Sequence, residues 1–560
     1  MKISGAKIVV ETLIEQGCDT VFGYPGGQVI DLFDELYSAR DRIKQIITAH
    51  EQGAAHAADG YARATGKVGV VIATSGPGAT NLVTGIATAY LDSVPMVAVT
   101  GNVSCSMIGS DSFQEVDIVG ITMPITKHNF IVKDIGELAD TLRTAFKIAK
   151  SGRPGPVLVD IPKDVQTALY EFEANAQPVI PYPLSFAPEE KLKKAADMIN
   201  SAERPYIYFG GGIISGKASA QLLALADKTD APMGSSLMGL SAVPSDHPKF
   251  LGMQGMHGHY ASTMAGAEAD LIIALGVRFS NRATGSSSPR DKGARIIHID
   301  IDGAELHKNI AADLAIKGDI TDAAERLISM VEEKKHPQWA ERIAELRAEE
   351  ALRTEENRRN AADTIDPYDI IDIVSSFADE NTIITTDVGQ HQMWTAQRYP
   401  LKRPRSFITS GGLGTMGYGL GAAIGACAAT GRRAVLFTGD GSFGMNLNEL
   451  ATAVSQNTPV VIVIMNNGVL GMVRQWQTLF FDRRYSNTTL GRSTDFTKLA
   501  VAFGAKGGRA ENTDQLKKLA AEAFACEGPF VIDCAVDCDR AVLPMLPPWG
   551  SAEDLITKID

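Results

Sequence analysis

Asp440 and Asn467 are polar residues that each follow a run of apolar residues and could bind a divalent cation together. Asp440 comes two positions after the run 434–438, and Asn467 comes two positions after the run 460–465. If both runs are neighbouring parallel strands, their carboxyl ends meet at one edge of the sheet and bring both side-chain oxygens together. These two oxygens, a loop carbonyl, two phosphate oxygens and water complete the six-oxygen shell that Mg²⁺ prefers. The spacing therefore predicts a magnesium site beside a bound diphosphate.

The same turn, residues 439–444, also has the spacing G-x-G-x-x-G of dinucleotide-binding turns. Two details disfavour that function. Asp440 would repel a pyrophosphate, by about 4 kcal/mol for two unit charges about 4 Å apart at an effective dielectric near 20. The next strand ends in Asn466 and Asn467 and lacks the acid that binds a ribose. A metal ion at this turn removes both objections. If the protein is not an enzyme, the alternative is a non-catalytic Rossmann-type binding module.

The elements that must position these residues are short Val/Ile-rich runs that alternate with Ala-rich segments of helix length. Several runs are apolar at every position, which indicates strands buried on both faces, as in parallel sheets covered by helices. The predicted class is α/β. The candidate strands include 68–73, 96–99, 157–160, 206–209, 271–275, 295–299, 383–386, 434–438, 460–465 and 530–534.

Two shifts in composition predict domain boundaries. Residues 176–188 are proline-rich and lack helical periodicity, which is typical of a linker. Residues 331–366 are densely charged, which favours an exposed helix that joins two domains. We therefore predict three domains, at residues 1–175, 188–335 and 366–548.

Length, charge and cysteine usage exclude several classes of protein. The chain has 560 residues, with 53 Lys and Arg against 66 Asp and Glu, a net charge of −13. An acidic chain without a basic tract is a poor ligand for nucleic acid, and no apolar run approaches the roughly 20 residues of a membrane-spanning helix. The amino terminus lacks the pattern of a signal peptide. The six cysteines are scattered without a C-x-x-C pair, so we predict a cytoplasmic protein with reduced, buried thiols.

The turn 439–441 followed by Asn466 and Asn467 resembles the thiamine-diphosphate motif of the decarboxylase and carboligase superfamily. The resemblance implies that thiamine diphosphate and Mg²⁺ bind here, with Asp440, Asn467 and the main-chain carbonyl of Val469 as the protein ligands of the metal. It also implies three doubly wound parallel-sheet domains, and residues 24–27, 50–54 and 74–81 resemble the superfamily's pyrimidine-binding domain.

Glu51 is the carboxylate that this resemblance assigns to the aminopyrimidine ring of the cofactor. A hydrogen bond from it would favour the imino tautomer, whose nitrogen deprotonates the thiazolium carbon. The residues after Glu51 are mostly Ala and Gly, which indicates close backbone packing and a less exposed carboxylate. A zinc site with His50 and His56 is disfavoured, because metalloprotease histidines are spaced at i and i+4.

Four further segments narrow the resemblance to the acetohydroxyacid synthase (acetolactate synthase) family, namely residues 110–115, 126–129, 389–394 and 470–477. Membership implies decarboxylation of pyruvate to a cofactor-bound hydroxyethyl carbanion or enamine. This nucleophile then adds to pyruvate, giving 2-acetolactate, or to 2-oxobutyrate, giving 2-aceto-2-hydroxybutyrate. These are first steps of branched-chain amino acid biosynthesis.

The resemblance assigns roles residue by residue. Gln114 and the Gly27 amide would donate hydrogen bonds to developing oxyanions, and Lys163 joins them as a catalytic residue, although it could be a solvated turn residue. The substrate-binding residues would be Phe113, Arg282, Trp476 and Met256. Phe113 and Trp476 could equally be core aromatics, and Met416, the predicted apolar wedge under the cofactor, could be ordinary core. The remaining thiamine contacts would be Tyr24, Pro25, Gly26, Gly76, Asn81, Val388, Gly389, Gln390, His391, Gly414, Met416, Gly439, Gly441, Ser442, Gly471 and Met472.

In the middle segment, residues 210–212, 251–258 and 276–279 resemble the FAD-binding domain of the same family. Glycine turns admit a pyrophosphate close to the backbone, and Arg278 can neutralise its charge. Because the carboligation involves no net redox, FAD would be structural or vestigial. The implied FAD contacts are Arg153, Gly210, Gly211, Gly212, Gly255, Met256, His257, Gly276, Arg278, Asp300, Ile301 and Asp319.

Three departures from the family pattern leave acceptor preference open. Asn281 stands where an aspartate is usual, Gln28 where a small alanine is common, and 420–421 is Leu-Gly instead of Leu-Pro. The family implies a homodimer or homotetramer with the active site between subunits, and a regulatory small subunit as a further partner. The alternatives are an FAD-independent catabolic acetolactate synthase and another thiamine-dependent carboligase or decarboxylase.

Overall fold

The computed structural model describes residues 2–175, 185–285, 293–358 and 364–559. Within them, the chain folds into three six-stranded parallel sheets, each flanked by helices. The predicted α/β class with three parallel-sheet domains is therefore confirmed. Each of the ten candidate strands coincides with a strand to within one residue at its start.

The first sheet has the order β3-β2-β4-β5-β7-β6, and β1 and β8 form a separate antiparallel pair. The strands are β1 Lys2–Ser4, β2 Thr20–Tyr24, β3 Lys44–Ile47, β4 Gly69–Ala73, β5 Met96–Asn102, β6 His128–Ile131, β7 Pro156–Pro162 and β8 Leu169–Glu171. The helices are α1 Gly5–Glu15, α2 Ile30–Ser38, α3 Glu51–Thr65, α4 Pro77–Asn81, α5 Val83–Leu91, α6 Ile118–Thr122, α7 Leu138–Lys150 and α8 Lys163–Thr167.

The second sheet has the order β11-β10-β9-β12-β13-β14. Its strands are β9 Pro205–Phe209, β10 Met233–Ser235, β11 Phe250–Met253, β12 Leu271–Leu275, β13 Arg295–Asp300 and β14 Leu314–Lys317. The helices are α9 Glu189–Asn200, α10 Gly211–Ser215, α11 Ser219–Thr229, α12 Tyr260–Glu268, α13 Asn281–Thr284 and α14 Ile320–Met330.

The charged stretch after the second sheet forms helix α15, Pro337–Arg358. The predicted helix is present, but the prediction that it is simply exposed is wrong for one face. Trp339, Ile343 and Leu346 are buried on that face, because their spacing of three or four residues forms an apolar stripe.

The third sheet has the order β16-β15-β17-β18-β20-β19. Its strands are β15 Ile383–Thr386, β16 Phe407–Ile408, β17 Ala434–Gly439, β18 Val460–Asn466, β19 Lys506–Ala510 and β20 Phe530–Ala535. The helices are α16 Pro367–Phe377, α17 Gln390–Arg398, α18 Gly419–Thr430, α19 Asp440–Asn446, α20 Glu449–Ser455, α21 Gly471–Phe480, α22 Phe496–Phe503 and α23 Thr513–Ala525.

The first and third sheets are joined inside the chain by the packing of α3 against α18. Glycines allow the two backbones to touch: a Cβ on Gly60 would lie 2.1 Å from the Ala422 carbonyl oxygen, and one on Gly425 would lie 1.8 Å from the Ala57 carbonyl oxygen. The Ala- and Gly-rich sequence after Glu51 is thus an interface between helices, as its composition indicates.

The sheets lie within the predicted domain ranges, whose bounds stay a prediction. The predicted linker at 176–188 falls mostly outside the described residues. No helix in the described ranges has the length and apolar character needed to span a bilayer. All six cysteines are free; Cys18, Cys427 and Cys534 are buried as predicted, whereas Cys105, Cys526 and Cys538 are half-buried.

Candidate active site

The carboxyl ends of the second and third sheets face one cavity of about 1770 Å³. Strands end there and pass into loops and helix amino termini, which is where parallel sheets place ligand-binding groups. The cavity brings together most of the predicted site residues: Arg153, Gly210, Gly211, Gly212, Met256, His257, Gly276, Arg278, Arg282, Asp300, Ile301, Asp319, Val388, Gly389, Gln390, His391, Gly414, Met416, Gly439, Asp440, Gly441, Ser442, Asn467, Val469, Gly471, Met472 and Trp476.

Asp440 and Asn467 lie at the ends of neighbouring strands, as their spacing predicts. Strands β17 and β18 are paired in parallel, with Gly439 beside Met465 in the register. Asp440 is 8% exposed, and burial raises its pKa to about 6 against the opposing effect of nearby backbone amides. The Asn467 side-chain oxygen accepts a hydrogen bond from the Val469 amide at 3.1 Å. A cation at this edge would offset the cost of burying the Asp440 charge.

The cavity wall beside Asn467 is packed so closely that only glycine fits at position 471. A Cβ on Gly471 would lie 2.0 Å from Oε1 of Gln390. His391 lines the cavity next to Gly439 and is buried, and burial lowers its pKa to about 3. Its Nε2 has no hydrogen-bond partner among the described residues. A buried ring nitrogen left unpaired at a cavity is suited to a bound polar group.

Met416, Gly414 and Ser442 complete this part of the cavity. The Met416 methyl group lies 3.8 Å from a Cβ built on Gly441, so the thioether covers the start of α19. Gly414 has a φ of +71°, a conformation that favours glycine. The Ser442 hydroxyl donates to the Val388 carbonyl at 2.9 Å and ties α19 to the loop after β15.

Arg282, Met256 and Trp476 meet at one side of the cavity, although they lie far apart in the sequence. Nη1 of Arg282 is 3.1 Å from Sδ of Met256, and its Cζ lies 5.6 Å from the centre of the Trp476 ring. The Met256 amide also donates to the Arg282 carbonyl at 2.7 Å. A planar guanidinium beside apolar side chains can bind a carboxylate and leave the rest of a small acid against Met and Trp.

The second-sheet side of the cavity contains a cradle formed by glycine backbone. The Gly212 amide donates to the Gly276 carbonyl at 3.1 Å, and a Cβ on Gly212 would lie 2.6 Å from the Gly276 Cα. Burial raises the pKa of Asp300, at the end of β13, to about 6. Such a cradle admits a ligand's diphosphate close to the backbone.

Two predicted residues of this side already have protein partners. Arg153 forms ion pairs with Glu305 at 2.6 Å and Asp302 at 3.4 Å. Asp319 caps helix α14 by accepting from the amides of Thr321 and Asp322, each at 3.0 Å. Gly255 is outside the cavity lining and packs beneath Arg282, since its Cβ would lie 2.4 Å from the Arg282 carbonyl oxygen.

The other predicted residues gather at the carboxyl ends of the first sheet and are not among the described residues that line the cavity. This second group consists of Tyr24, Pro25, Gly26, Gly27, Glu51, Gly76, Asn81, Phe113, Gln114 and Lys163. Each follows, or ends, one of strands β2, β3, β4, β5 and β7.

Glu51 is the first residue of α3 and is 9% exposed, so the predicted burial of this carboxylate is confirmed. Asn81 donates to Oε2 of Glu51 at 2.9 Å. A Cβ on Gly76 would lie 2.9 Å from the Gln114 carbonyl oxygen, and Nζ of Lys163 is 3.3 Å from the Gly27 carbonyl oxygen. Residues of the second group that are distant in the sequence therefore contact one another in pairs.

The loop with Phe113 and Gln114 has the features of a surface that meets a ligand or another chain. Phe113 is 85% exposed, so it is not a core aromatic. Gln114 and Asp111 have φ values of +60° and +54°, which non-glycine residues rarely adopt. Backbone strain of this kind accumulates at functional sites.

Glu449 is a residue that the sequence did not point to. It lies on α20 and is fully buried, and burial raises its pKa. Its carboxylate accepts from the His50 amide at 2.9 Å and the Ala49 amide at 3.2 Å, immediately before Glu51. Nothing in the sequence distinguishes it from a surface glutamate on an amphipathic helix.

Comparisons with known proteins cover the whole chain. Three family models match: thiamine pyrophosphate enzyme, N-terminal TPP binding domain, at residues 3–121; central domain, at 192–327; and C-terminal TPP binding domain, at 387–534. A probable acetolactate synthase large subunit of Methanocaldococcus jannaschii is 45% identical over 100% of this chain and 96% of its own length. The isozyme 1 and isozyme 2 acetolactate synthase large subunits of Escherichia coli K12 are 45% and 44% identical, over 99% and 100% of this chain and 98% and 100% of their own lengths.

Proposed function

This chain belongs to the family of acetolactate synthase large subunits, which are thiamine pyrophosphate enzymes, and we propose that it makes 2-acetolactate from two molecules of pyruvate with release of CO₂. With 2-oxobutyrate as the acceptor, the product is 2-aceto-2-hydroxybutyrate. The observation that carries the proposal is that Asp440 and Asn467 share one cavity with Arg282, Met256 and Trp476.

Thiamine diphosphate, when bound, supplies an electron sink for the electron pair that remains when pyruvate loses CO₂. Asp440, Asn467 and the Val469 carbonyl would hold Mg²⁺ and through it the diphosphate. The buried Asp440 carboxylate and the unpaired His391 nitrogen fit such a charged, polar group. The tight packing at Gly471 and Gly439 keeps these groups in place.

The chain's own residues orient the two acids and move protons. Arg282 would bind the carboxylate of the acceptor 2-oxo acid through two parallel N–H donors. Trp476 and Met256 would contact its alkyl group. The Gln114 side chain and the Gly27 amide would donate to the oxygen that gains negative charge when the new carbon–carbon bond forms.

Glu51 would hold a proton at its carboxyl oxygen and share it with the pyrimidine ring nitrogen. Its near-complete burial excludes water from that proton, and Asn81 fixes the other end of the carboxyl group. Glu449 holds the two backbone amides before Glu51 and so sets the start of α3.

We further propose that the complete site forms between two copies of this chain. The second group of residues around Glu51 does not line the cavity of its own chain within the described residues. Around it, Tyr24, Ile30 and Phe113 are large apolar side chains exposed to solvent in the single chain. A second copy that covers this surface would bring its own cavity opposite Glu51, as a two-fold dimer does for both sites at once.

FAD would bind the glycine cradle of Gly210, Gly212 and Gly276, where the two backbone segments lie so close that a Cβ on Gly212 would be 2.6 Å from the Gly276 Cα. It would have a structural role, because the reaction has no net redox change. Purified protein should then absorb near 450 nm. A colourless protein that is fully active without added flavin would contradict this part of the proposal.

Product analysis tests the proposed reaction. The enzyme is incubated with pyruvate alone and with pyruvate plus 2-oxobutyrate, with thiamine diphosphate and Mg²⁺ present and with flavin omitted or supplied. We expect acetolactate in the first case and mainly 2-aceto-2-hydroxybutyrate in the second. Oxygen consumption with acetate as the product, or no carboligation product, would refute the proposal.

The relatives are named large subunits, and on this ground we propose a smaller partner subunit for this chain. Affinity purification of the tagged chain from its own cells should recover that subunit. A chain that purifies alone with full activity would contradict it.

A further inference from the structure

The loop 410–416, between β16 and α18, is held between the other two domains of the same chain. It contains Gly414 and Met416, two predicted contacts of thiamine diphosphate, and it lines the cavity. On one side a Cβ on Gly411 would lie 2.4 Å from Sδ of Met238, in the second domain. On the other side a Cβ on Gly412 would lie 3.0 Å from the Leu91 carbonyl oxygen, in the first domain.

Asp92, at the end of α5, is the polar anchor of this loop. Its side chain is fully buried. Oδ1 accepts from the Gly412 amide at 2.7 Å, and Oδ2 accepts from the Gly411 amide at 3.0 Å. Oδ2 also forms an ion pair with Nη2 of Arg63 at 2.9 Å. Hydrogen bonds to an ionised acceptor are the stronger ones, and two consecutive amides aimed at one carboxylate fix the direction of the backbone.

A second contact from the first domain supports the same loop. The hydroxyl groups of Thr88 and Thr415 are 2.7 Å apart and buried, and Thr415 lies between Gly414 and Met416. The Thr415 amide also donates to the Ser410 hydroxyl at 3.1 Å, which keeps the loop compact. The part of the loop that faces the cofactor therefore depends on groups more than 300 positions away in the sequence.

We propose that Asp92 is a positioning residue for the thiamine cofactor: by holding the Gly411 and Gly412 amides, it keeps Gly414 and Met416 in the conformation that receives thiamine diphosphate. The inference rests on the proposed function and adds to it. Asp92 does not touch the reacting atoms. It makes cofactor binding by the third domain depend on the first domain of the same chain.

Asp92→Asn is the sharpest variant, because every partner of Asp92 named above is a hydrogen-bond donor. An amide of the same shape offers one acceptor oxygen, so its NH₂ group must face at least one donor. Gly412→Ala tests the same contact without changing charge, since its Cβ would lie 2.8 Å from Oδ1 of Asp92. Asp230→Asn is the matched control: Asp230 pairs with Lys249 and accepts from the His336 amide at 3.0 Å, away from the loop.

Full-length protein is freed of cofactor and titrated calorimetrically with thiamine diphosphate at saturating Mg²⁺, and urea unfolding is followed for each variant. We expect the Kd for thiamine diphosphate to rise at least tenfold in Asp92→Asn and in Gly412→Ala, with a much smaller change in kcat once cofactor is saturating. Asp230→Asn should keep the wild-type Kd. A merely structural role would lower the urea midpoint and leave the Kd unchanged.

If both loop variants bind thiamine diphosphate with the wild-type Kd, or if Asp230→Asn loses as much affinity as they do, the inference about Asp92 is overturned while the proposed function stands. A wild-type protein that takes up no thiamine diphosphate overturns the proposed function and this inference with it. The two failures are distinguished by the wild-type titration.

Discussion

At the scale of the residue, the proposed chemistry depends on a few side chains whose surroundings differ sharply. Glu51 is buried at the first turn of α3 with Asn81 as its partner, whereas Phe113 is exposed on a strained loop of the same domain. Arg282 shares its surroundings with Met256 and Trp476. Their roles can therefore be separated by single substitutions.

Glu51→Gln should lower kcat at least tenfold while thiamine diphosphate still binds. The amide keeps the shape and one hydrogen bond but cannot exchange a proton with the pyrimidine ring, and general acid–base groups typically contribute about 10²–10⁴-fold. Activity at saturating cofactor and the calorimetric Kd are measured together. Glu11→Gln, which removes a surface ion pair with Arg42, is the control. A nearly normal turnover in Glu51→Gln would remove this role.

Trp476→Leu should reduce the preference for 2-oxobutyrate over pyruvate as the acceptor. One extra methylene in an apolar pocket is worth about 1–3 kcal/mol, so the product ratio in a competition assay should fall several-fold or more. Phe480→Leu is the matched control, because Phe480 contacts the Trp476 ring at 5.6 Å but does not line the cavity. Equal shifts in both variants would mean that aromatic packing, and not substrate contact, sets the ratio.

At the scale of the element, α3 and α18 connect the first and third domains, and their packing depends on small residues. A Cβ on Gly421 would lie 2.9 Å from the Gly53 carbonyl oxygen. The departure from Leu-Pro at 420–421 therefore occurs where the two helices are in close contact. His56 is buried in the same interface beside the Tyr418 ring.

Gly425→Ala should destabilise the protein by about 1–3 kcal/mol or more, because the new methyl group meets the rigid Ala57 backbone and has no side chain to displace. Urea unfolding of the wild type and the variant measures the change in the free energy of unfolding. Gly303→Ala is the control, since its nearest neighbours are Lys317 side-chain atoms at 3.4 Å or beyond. Unchanged stability in Gly425→Ala would mean that the two helices can separate at little cost.

His56 should make stability depend on pH. Burial, with a smaller contribution from Arg63, lowers its pKa to about 3 from an ordinary value of 6.5. Below pH 6.5 His56 is therefore protonated in the unfolded chain but stays neutral in the folded chain. Its contribution to the free energy of unfolding is complete above pH 6.5 and is lost as the pH falls toward 3. The slope is about 1.4 kcal/mol per pH unit.

His56→Gln removes this titration, so its free energy of unfolding should fall less steeply than that of the wild type between pH 6 and pH 4. Urea unfolding of both proteins in the same buffers measures the two slopes. Identical slopes would show that the ring is protonated in the folded protein.

At the scale of the whole molecule, the predicted site residues form two groups that one chain keeps apart, and the proposed dimer joins them. Glu51→Gln and Asp440→Ala each remove one half of the site. When differently tagged copies of the two variants are co-expressed and mixed dimers are isolated, one site in each dimer has both wild-type halves. We expect mixed dimers to recover about half of the wild-type activity, while each variant alone has little. No recovery would place the whole site within one chain.

The sequence by itself determined the sheets of this protein and the placement of Asp440 and Asn467 at the ends of neighbouring strands, because both follow from local sequence patterns. Apolar runs of four to six residues mark the strands that are buried on both faces, and Asp440 and Asn467 follow two such runs that pair in register. The strands that were not predicted include β14, β16 and β19, which are short edge or mixed-polarity strands such as Lys506–Ala510.

Only the tertiary structure decided which side chains hold the site together. Glu449 binds the amides of Ala49 and His50 from about 400 positions away, and Asp92 binds those of Gly411 and Gly412 from about 320. Buried carboxylates such as these have no local signature, since a carboxylate is usually exposed and its burial depends on donors that distant segments provide. The separation of Glu51 from the cavity is likewise a result of how whole domains pack.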